Sequence, residues 1–514
     1  MITSRLSRLA RWHRTLALIV VLPLLMWSLT GLLHPIMTRW QPSAAAMAPP
    51  AEVVNAPSGT SWQALPAPAS VLPKDLVMTE LRPLTWQGEA YWMAGGADGT
   101  RQYFRARDGQ LSDIEPALMT ALARHFTGIS SGEPELQLIT AFSAEYPFVN
   151  RYLPVWRVQF SGHDTVAFIE PRGLRLSALS DPWKTWFSAT FSRLHSWSFW
   201  PHEPSRDIAM AIVLSLGLAV VVTGIFRLFR RKTVVGSKAL PSDNSARLST
   251  PHAPRRWHRR LGWFVALGAI ASMSSGMFHV LAINKSQPSF NAKPERVAFS
   301  AGQLRTLPPV LGVMGERSLA VASANGPLWM SYAVDRGHGA GHAKSQHKGQ
   351  KSDQESGQDH SEHAEHQHHA ATPNLAISLQ RAENAQPVAI ERYVQELAAG
   401  VLAQHPSANI ESQQAITGFT AEYGFVQKRL PVYQLLLDTP DHIAIYIDPI
   451  DAVVSSVVTD LARVEGYSFA YIHKGMWLDG LGKDVRDSVL GLQALGVFLM
   501  ACLGLSLARR RRLG

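Results

Sequence analysis

The chain contains a single cysteine, Cys502, among its 514 residues. One thiol cannot form a disulfide within the chain, and it cannot supply the sets of cysteines that hold structural zinc or an iron–sulfur cluster. Acidic residues are almost missing from the long apolar runs, where only Asp207 and Asp487 occur, each at the start of a run. Transport of a charged ion usually needs carboxylates inside the membrane, so their scarcity disfavours an ion pump.

Catalytic motifs are missing as well. We find no nucleophile motif, no glycine-rich phosphate loop, no flavin or nicotinamide fingerprint and no attachment motif for covalent haem. No catalytic residue is therefore assigned. The formal net charge is +10, but the basic runs adjoin apolar segments, so membrane topology explains them better than nucleic acid does, and we expect no nucleic-acid partner.

Four apolar stretches are each long enough to cross a lipid bilayer. They predict an α-helical membrane protein with a four-helix transmembrane bundle, its spans at 15–37, 207–229, 260–283 and 487–508. Arginine-rich segments at 1–14, 230–259 and 509–514 flank the spans and are expected in the cytoplasm by the positive-inside rule. The first span is not expected to be a cleaved signal peptide, because the internal third span resembles it.

The two regions left outside the membrane, 38–206 and 284–486, resemble each other. The sequence at 141–146 returns at 418–423, and the sequence at 168–171 returns at 446–449. In the first region we expect a helix at 116–126 and strands at 137–142, 155–160, 166–170 and 174–179, which is a small α+β domain. The chain is thus predicted to be two parallel repeats of span, exported domain and span.

Histidines occur at both ends of the first and third spans. The separation is 21 residues in each case, about 31 Å along a helix, which places one imidazole near each face of a bilayer. One further histidine precedes the second span and another precedes the fourth. The level nearer the cytoplasm comprises His13 and His258, and the outer level comprises His34, His279, His195 and His473. The alternative is that these histidines lie at the interface without a ligand.

Three chemistries suit aligned histidines in a membrane: haem ligation, direct coordination of a transported metal ion, and proton relay. Haem b held by imidazole alone fits the poverty of other polar groups in the spans. Two haems can be drawn from the six histidines, but the sequence does not determine how they pair.

A second group of histidines has no counterpart in the first region. It lies in the segment 336–371, which is rich in glycine, serine, glutamine and charged residues, and which predicts a disordered loop. Clustered histidines bind ions such as Zn, Cu or Ni, and the alternative is a merely solubilising insertion. The candidate metal ligands are His338, His342, His347, His360, His363, His366, His368 and His369.

Four stretches of the sequence resemble the PepSY-associated transmembrane (PepSY-TM) family. They are the run 11–14 with its following span to His34, the pair Glu145-Tyr146, and the turns at 153–155 and 168–171. The resemblance covers nearly the whole chain except the His-rich segment. It implies PepSY-like periplasmic domains and an inner-membrane protein of a Gram-negative bacterium, with both termini cytoplasmic. The best-understood members are similar to ferric-siderophore (ferrioxamine) reductases, with four spans and two b-type haems.

That resemblance implies that the six histidines are the haem-ligand pool. It also implies an oxidoreductase of iron uptake that passes electrons to a periplasmic ferric siderophore or another metal chelate. The chain has no flavin reductase domain, so an external donor, a quinol or a cytoplasmic flavoprotein, is required. Two alternatives stay open: a non-enzymatic PepSY membrane scaffold, and a metal-binding or metal-transport protein.

Overall fold

The computed structural model describes residues 2–234, 253–286, 297–313, 316–334, 375–420, 422–424 and 427–510. Four of its helices are long and apolar enough to cross a membrane, and each predicted span lies inside one of them. The α-helices are α1 (Ile2–Arg39), α2 (Ala51–Val54), α3 (Pro68–Val71), α4 (Glu115–Thr127), α5 (Pro182–Leu194), α6 (Glu203–Val234), α7 (Ala253–Ser286), α8 (Ile390–Leu402), α9 (Asp460–Tyr467) and α10 (Lys483–Arg510).

The four long helices contact one another in a ring. Helix α1 packs against α6 and α10, and α7 packs against the same two helices. Leu214 of α6 with Ala269 and Met273 of α7 forms the buried centre, against which Leu24 and Trp27 of α1 pack. The shorter α5 lies against α1, whereas α9 lies against α7 and continues into a π-helical turn, Ser468–His473.

The strands lie outside the long helices, in the regions 38–206 and 284–486. They are β1 (Val77–Met78), β2 (Glu80–Trp86), β3 (Glu89–Gly95), β4 (Arg101–Arg105), β5 (Leu111–Ser112), β6 (Pro134–Ile139), β7 (Val155–Phe160), β8 (Val166–Glu170), β9 (Arg175–Ser180), β10 (Phe299–Ser300), β11 (Arg317–Val321), β12 (Leu328–Val334), β13 (Leu375–Arg381), β14 (Pro387–Val388), β15 (Ile410–Ile416), β16 (Val432–Leu437), β17 (Ala444–Asp448) and β18 (Val453–Val458).

One sheet crosses from the first region to the second. Its order is β14-β13-β12-β11-β2-β3-β4-β5, and the central antiparallel pair joins Leu81 of β2 to Ala320 of β11. The short strands β1 and β10 make a second connection between the regions. The sequence predicts two exported domains separated by spans two and three. In the structure the two regions instead share a continuous sheet.

Each region also has a four-stranded antiparallel sheet of its own. The orders are β6-β7-β8-β9 and β15-β16-β17-β18, with α4 packed on the first sheet and α8 on the second. In both sheets a tyrosine hydroxyl is shared between a backbone carbonyl and a serine: Tyr146 contacts Ser177, and Tyr423 contacts Ser455, both at 2.6 Å. The same local sequence therefore makes the same hydrogen bond in each region.

Two strands of the first region differ from the predicted bounds. Strand β6 ends at Ile139 rather than continuing to residue 142, because a turn follows in which the Ser143 amide donates to the Tyr146 carbonyl at 2.9 Å. Strand β9 begins at Arg175 rather than at Leu174, since Leu174 has a φ of +52°, in the left-handed region rather than the extended one. Strands β7 and β8 have the predicted bounds.

Candidate functional site

The structure places His195 beside His473. His195 follows α5 and His473 ends the π-helical turn after α9, and their ring centres are 6.4 Å apart, with the ring planes at 81°. We call these two residues the outer pair, after the level at which they are expected. Both are half-buried. A π-helical turn is rare and often occurs at functional sites.

Capped helix starts bring the outer pair to this position. Asp181 caps α5 by accepting a hydrogen bond from the Lys184 amide at 2.6 Å, and Thr459 caps α9 by accepting one from the Ala462 amide at 3.3 Å. Each cap comes directly after the last strand of its four-stranded sheet. The turn out of each sheet thus directs a short helix, and the histidine at its far end, towards α1 or α7.

Hydrogen bonds determine which nitrogen of His195 carries the proton. The Nδ1 atom lies 2.9 Å from the Thr30 hydroxyl. That hydroxyl donates to the carbonyls of Met26 and Trp27, at 2.9 and 3.0 Å, and while it does so it accepts from the imidazole. His195 therefore donates through Nδ1 and keeps the lone pair of Nε2 free for a ligand.

His473 is held in the same way. Its Nδ1 lies 3.2 Å from the carbonyl of Ser272 on α7, and because a carbonyl only accepts, the proton is again on Nδ1. Phe469 stacks on the His473 ring with centres 4.9 Å apart, and Phe191 stacks on the His195 ring at 4.5 Å. Both imidazoles are thereby fixed in orientation, and both present Nε2.

His13 and His258 form a second pair, the inner pair. They come from α1 and α7, which lie across the ring of helices from each other, and their ring centres are 6.5 Å apart with the planes at 70°. The Nδ1 atom of His13 lies 3.0 Å from the Val220 carbonyl of α6. The Nδ1 atom of His258 is buried against the Met500 backbone of α10 but makes no hydrogen bond of standard geometry within the described residues.

Glycines on α6 and α10 make room for the inner pair. A Cβ atom at Gly224 would lie 3.2 Å from Cε1 of His13, and one at Gly504 would lie 3.8 Å from Cε1 of His258. The first distance is shorter than an ordinary carbon–carbon contact and the second is not. A methyl group at position 224 would therefore require the His13 ring to shift by a few tenths of an ångström, while one at position 504 would be in ordinary contact with the His258 ring.

Among the described residues, neither His34 nor His279 has its ring next to another imidazole. His34 is exposed, and its ring centre is 6.0 Å from that of Phe191. His279 stacks on Phe469 at 4.3 Å, and its Nδ1 makes a short contact with the carboxylate of Glu465. Each therefore lies one phenyl ring away from a histidine of the outer pair. Sequence reasoning did not identify Phe191, Phe469 or Glu465, although both phenylalanines lie four residues before a candidate histidine.

The geometry allows a test of which metal groups could fit. An imidazole nitrogen lies about 2 Å from a bound metal and ~1 Å from the ring centre, so two imidazoles on opposite sides of one metal have centres about 6 Å apart. Both pairs match this separation. Among the described residues no group of three or more His, Cys, Asp or Glu side chains could hold a bare metal ion. Two imidazoles suffice where a macrocycle supplies the other ligands, so the pairs fit haem.

The two pairs lie at different heights along the helices. His195 contacts Thr30, which is 17 residues after His13 on α1, and His473 contacts Ser272, which is 14 residues after His258 on α7. At about 1.5 Å per residue the levels are roughly 21 to 26 Å apart. One pair is thus near each end of the long helices.

Comparison with models of known protein families, with curated proteins and with solved structures gives no match. The ligand that the two histidine pairs could hold is therefore inferred from their geometry alone.

The eight histidines of the segment 336–371, from His338 to His369, lie outside the described residues. The segment starts after β12 and ends before β13, and these strands pair so that Val334 is opposite Leu375. The strands that precede and follow the segment are therefore neighbours in the shared sheet.

The paired acidic residues Glu145 and Glu422 hold strands in place. Glu145 accepts two hydrogen bonds from Arg157 at 3.0 Å, and Glu422 accepts from Arg463 at 2.8 Å and from the Tyr446 hydroxyl at 2.7 Å. Both carboxylates are engaged within their own region, which indicates a structural role.

Proposed function

We propose that the protein is a membrane b-type haem protein that carries electrons between two bis-histidine haems, one held by each pair. The observation that carries the proposal is the separation of the ring centres, 6.5 Å in the inner pair and 6.4 Å in the outer pair. In both pairs, one histidine of the first half of the chain faces its sequence counterpart in the second half. The proposal includes a chain built as two structural repeats.

Haem bound at these sites would supply reversible one-electron chemistry. The chain's own contribution is to hold each imidazole as a neutral ligand of defined tautomer. Nδ1 of His13 and Nδ1 of His473 each donate to a backbone carbonyl, and Nδ1 of His195 donates to the Thr30 hydroxyl. Such outer hydrogen bonds orient metal-bound histidines and raise their basicity.

We also propose that both large regions lie on the periplasmic side of the inner membrane of a Gram-negative bacterium. The support is that β2 and β11 are hydrogen-bonded neighbours, so both regions must lie on one side of any membrane that the helices cross. The arginine-rich segments then lie on the other side, which satisfies the positive-inside rule. The bacterial type follows only from the resemblance to the PepSY-TM family.

The proposed acceptor is a periplasmic ferric siderophore or a similar metal chelate, and the proposed donor is a quinol or a cytoplasmic flavoprotein. Redox centres at two heights give electrons a route through the membrane, which suits a donor and an acceptor on opposite sides. The large regions would present the acceptor to the outer level.

The visible spectrum of the purified protein, oxidised and then reduced with dithionite, tests the haem proposal. We expect b-type bands from two haems, and His195→Ala or His473→Ala should remove about half of the haem. His34→Ala is the matched control, because His34 lies at the same level without a facing imidazole, and it should retain both haems. A colourless protein from haem-sufficient cells, or haem loss in the control alone, would contradict the assignment.

Reoxidation of the reduced protein under anaerobic conditions tests the electron acceptor. A ferric hydroxamate chelate should reoxidise the haem bands, and the outer-pair variants should respond more slowly. A scaffold would show no reducible chromophore, and a permease would move metal into proteoliposomes without a reductant. Either result would replace the reductase proposal.

A further inference from the structure

A buried network of charges lies where the two large regions meet. Glu80 of β2 accepts from Arg172 at 2.6 and 2.7 Å and from Arg82 at 3.4 Å. Asp451 of the second region contacts Arg175 of the first at 2.5 Å and lies 3.7 Å from Arg82. Both carboxylates are almost fully buried.

Positive charge exceeds negative charge in this network. Arg429 pairs with Asp448 and Asp451, and Arg175 pairs also with Glu170. Arg317, at the start of β11, is half-buried, lines a cavity together with Arg82 and Arg172, and makes no ion pair or hydrogen bond within the described residues. Counting Arg317, five guanidinium groups stand against four carboxylates, which leaves one positive charge. The guanidinium groups are those of Arg82, Arg172, Arg175, Arg317 and Arg429, and the carboxylates are those of Glu80, Glu170, Asp448 and Asp451.

The unmatched charge faces a cavity. A space of about 30 Å³ is lined by Arg82, Arg172 and Arg317, together with Tyr332 and the backbone around Gly173. The carboxylate next to Arg317 in the chain, Glu316, is engaged elsewhere by backbone amides at 2.9 and 3.0 Å. Among the residues that the structure describes, no acidic side chain lines the cavity.

Donors for a ligand are present in its walls. Arg82 and Arg172 use their Nε and Nη2 atoms on Glu80, and neither Nη1 atom has a partner within the described part of the chain. The side chain of Arg82 is only 10% exposed, so its charge is poorly screened by solvent. Guanidinium groups with free N–H donors are strong sites for anions.

We propose that this cavity is a chloride site that joins the two large regions. The cavity has room for at least one water-sized particle, which suits a monatomic anion such as chloride. The ion compensates the unmatched charge of Arg317 and accepts hydrogen bonds from groups of β2, the β8–β9 turn and β11. This site is independent of the proposed haems.

Chloride binding can be measured directly by ³⁵Cl NMR on the full-length protein in detergent. We expect excess line broadening that is competed by bromide and lost in Arg317→Met. Arg305→Met is the matched control, since Arg305 is exposed and pairs with exposed Glu383, and it should keep the broadening. Equal broadening in the two variants, or none in the wild-type protein, would overturn the proposal.

A second measurement does not depend on the variant being folded. The thermal midpoint of the wild-type protein should rise saturably by a few degrees when gluconate is replaced by chloride at constant ionic strength. Crystals grown with bromide should show an anomalous peak between Arg82, Arg172 and Arg317. Identical midpoints in the two salts, or no peak in the cavity, would also overturn the proposal.

Discussion

Replacing Glu80 by glutamine removes one negative charge from the buried network while leaving the shape of the side chain almost unchanged. Arg172 and Arg82 then lose the carboxylate to which they donate, at distances of 2.6 to 3.4 Å. Breaking a buried ion pair by removing one partner costs about 3–5 kcal/mol, because the remaining charge stays buried without compensation.

The pKa of Glu80 leads to a similar magnitude. Burial alone would raise that pKa, but the guanidinium groups of Arg172 and Arg82 outweigh it and lower the pKa from 4.5 to about 2. The difference corresponds to about 3 kcal/mol. The folded protein binds this proton more weakly than the unfolded chain does, so the stabilisation is complete above pH 4.5 and is lost as the pH falls from 4.5 towards 2.

Denaturant unfolding followed by tryptophan fluorescence, from pH 7 down to pH 3, measures both effects. Glu80→Gln should lower the free energy of unfolding at pH 7 by about 3 kcal/mol and should flatten its decline below pH 4.5. Glu89→Gln is the control, because Glu89 is 43% exposed and pairs with Arg105 and Arg107 at the surface, where an ion pair contributes less than about 1 kcal/mol. Equal stability losses in the two variants, or an acid profile unaltered by Glu80→Gln, would refute the reasoning.

Three further outcomes are expected. Gly224→Ala brings a methyl group to 3.2 Å from His13 and should shift the bands and midpoint potential of the haem proposed at the inner pair. Gly504→Ala, at 3.8 Å from its histidine, should leave both unchanged in spectra and redox titrations, and equal shifts would contradict this. Burial lowers the pKa of Lys428 from 10.5 to about 8. Between pH 8 and pH 10.5 the unfolded chain therefore binds more protons than the folded protein, and thermal stability should rise with pH in this range. Lys428→Met should abolish the rise, and a rise that persists in the variant would exclude Lys428 as its source. Tyr423→Phe removes a buried hydroxyl that contacts a serine at 2.6 Å and should cost about 1 kcal/mol in denaturant unfolding, which a neutral result would disprove.

Local patterns predicted much of the secondary structure. The apolar runs marked all four long helices, and the strands expected at 155–160 and 166–170 coincide with β7 and β8. These signals succeed because helix and strand periods are properties of a few consecutive residues. They failed at Leu174, where a single left-handed residue delays the start of β9.

The pairing of the histidines could not be read from the chain. The spacing of His13 and His34 placed both on one helix. Which histidines face each other at the outer level depends on how α5 and the π-helical turn pack beside α1 and α7. That arrangement is tertiary, and it puts His195 next to His473 while leaving His34 outside. The shared sheet was missed for the same reason, since periodicity does not say that Leu81 will pair with Ala320.

The central β2–β11 pair also constrains the order of synthesis. Strand β2 has β3 on one side but lacks its other neighbour until β11 has been made, and β11 follows α6 and α7 in the chain. Until then the first region carries an unfinished sheet edge, which is a template for pairing with other chains. Glu80 and Arg82 lie on that edge, and charges on an edge strand discourage foreign strands. Insertion of the third long helix thus sets the moment at which the region outside the membrane can finish folding.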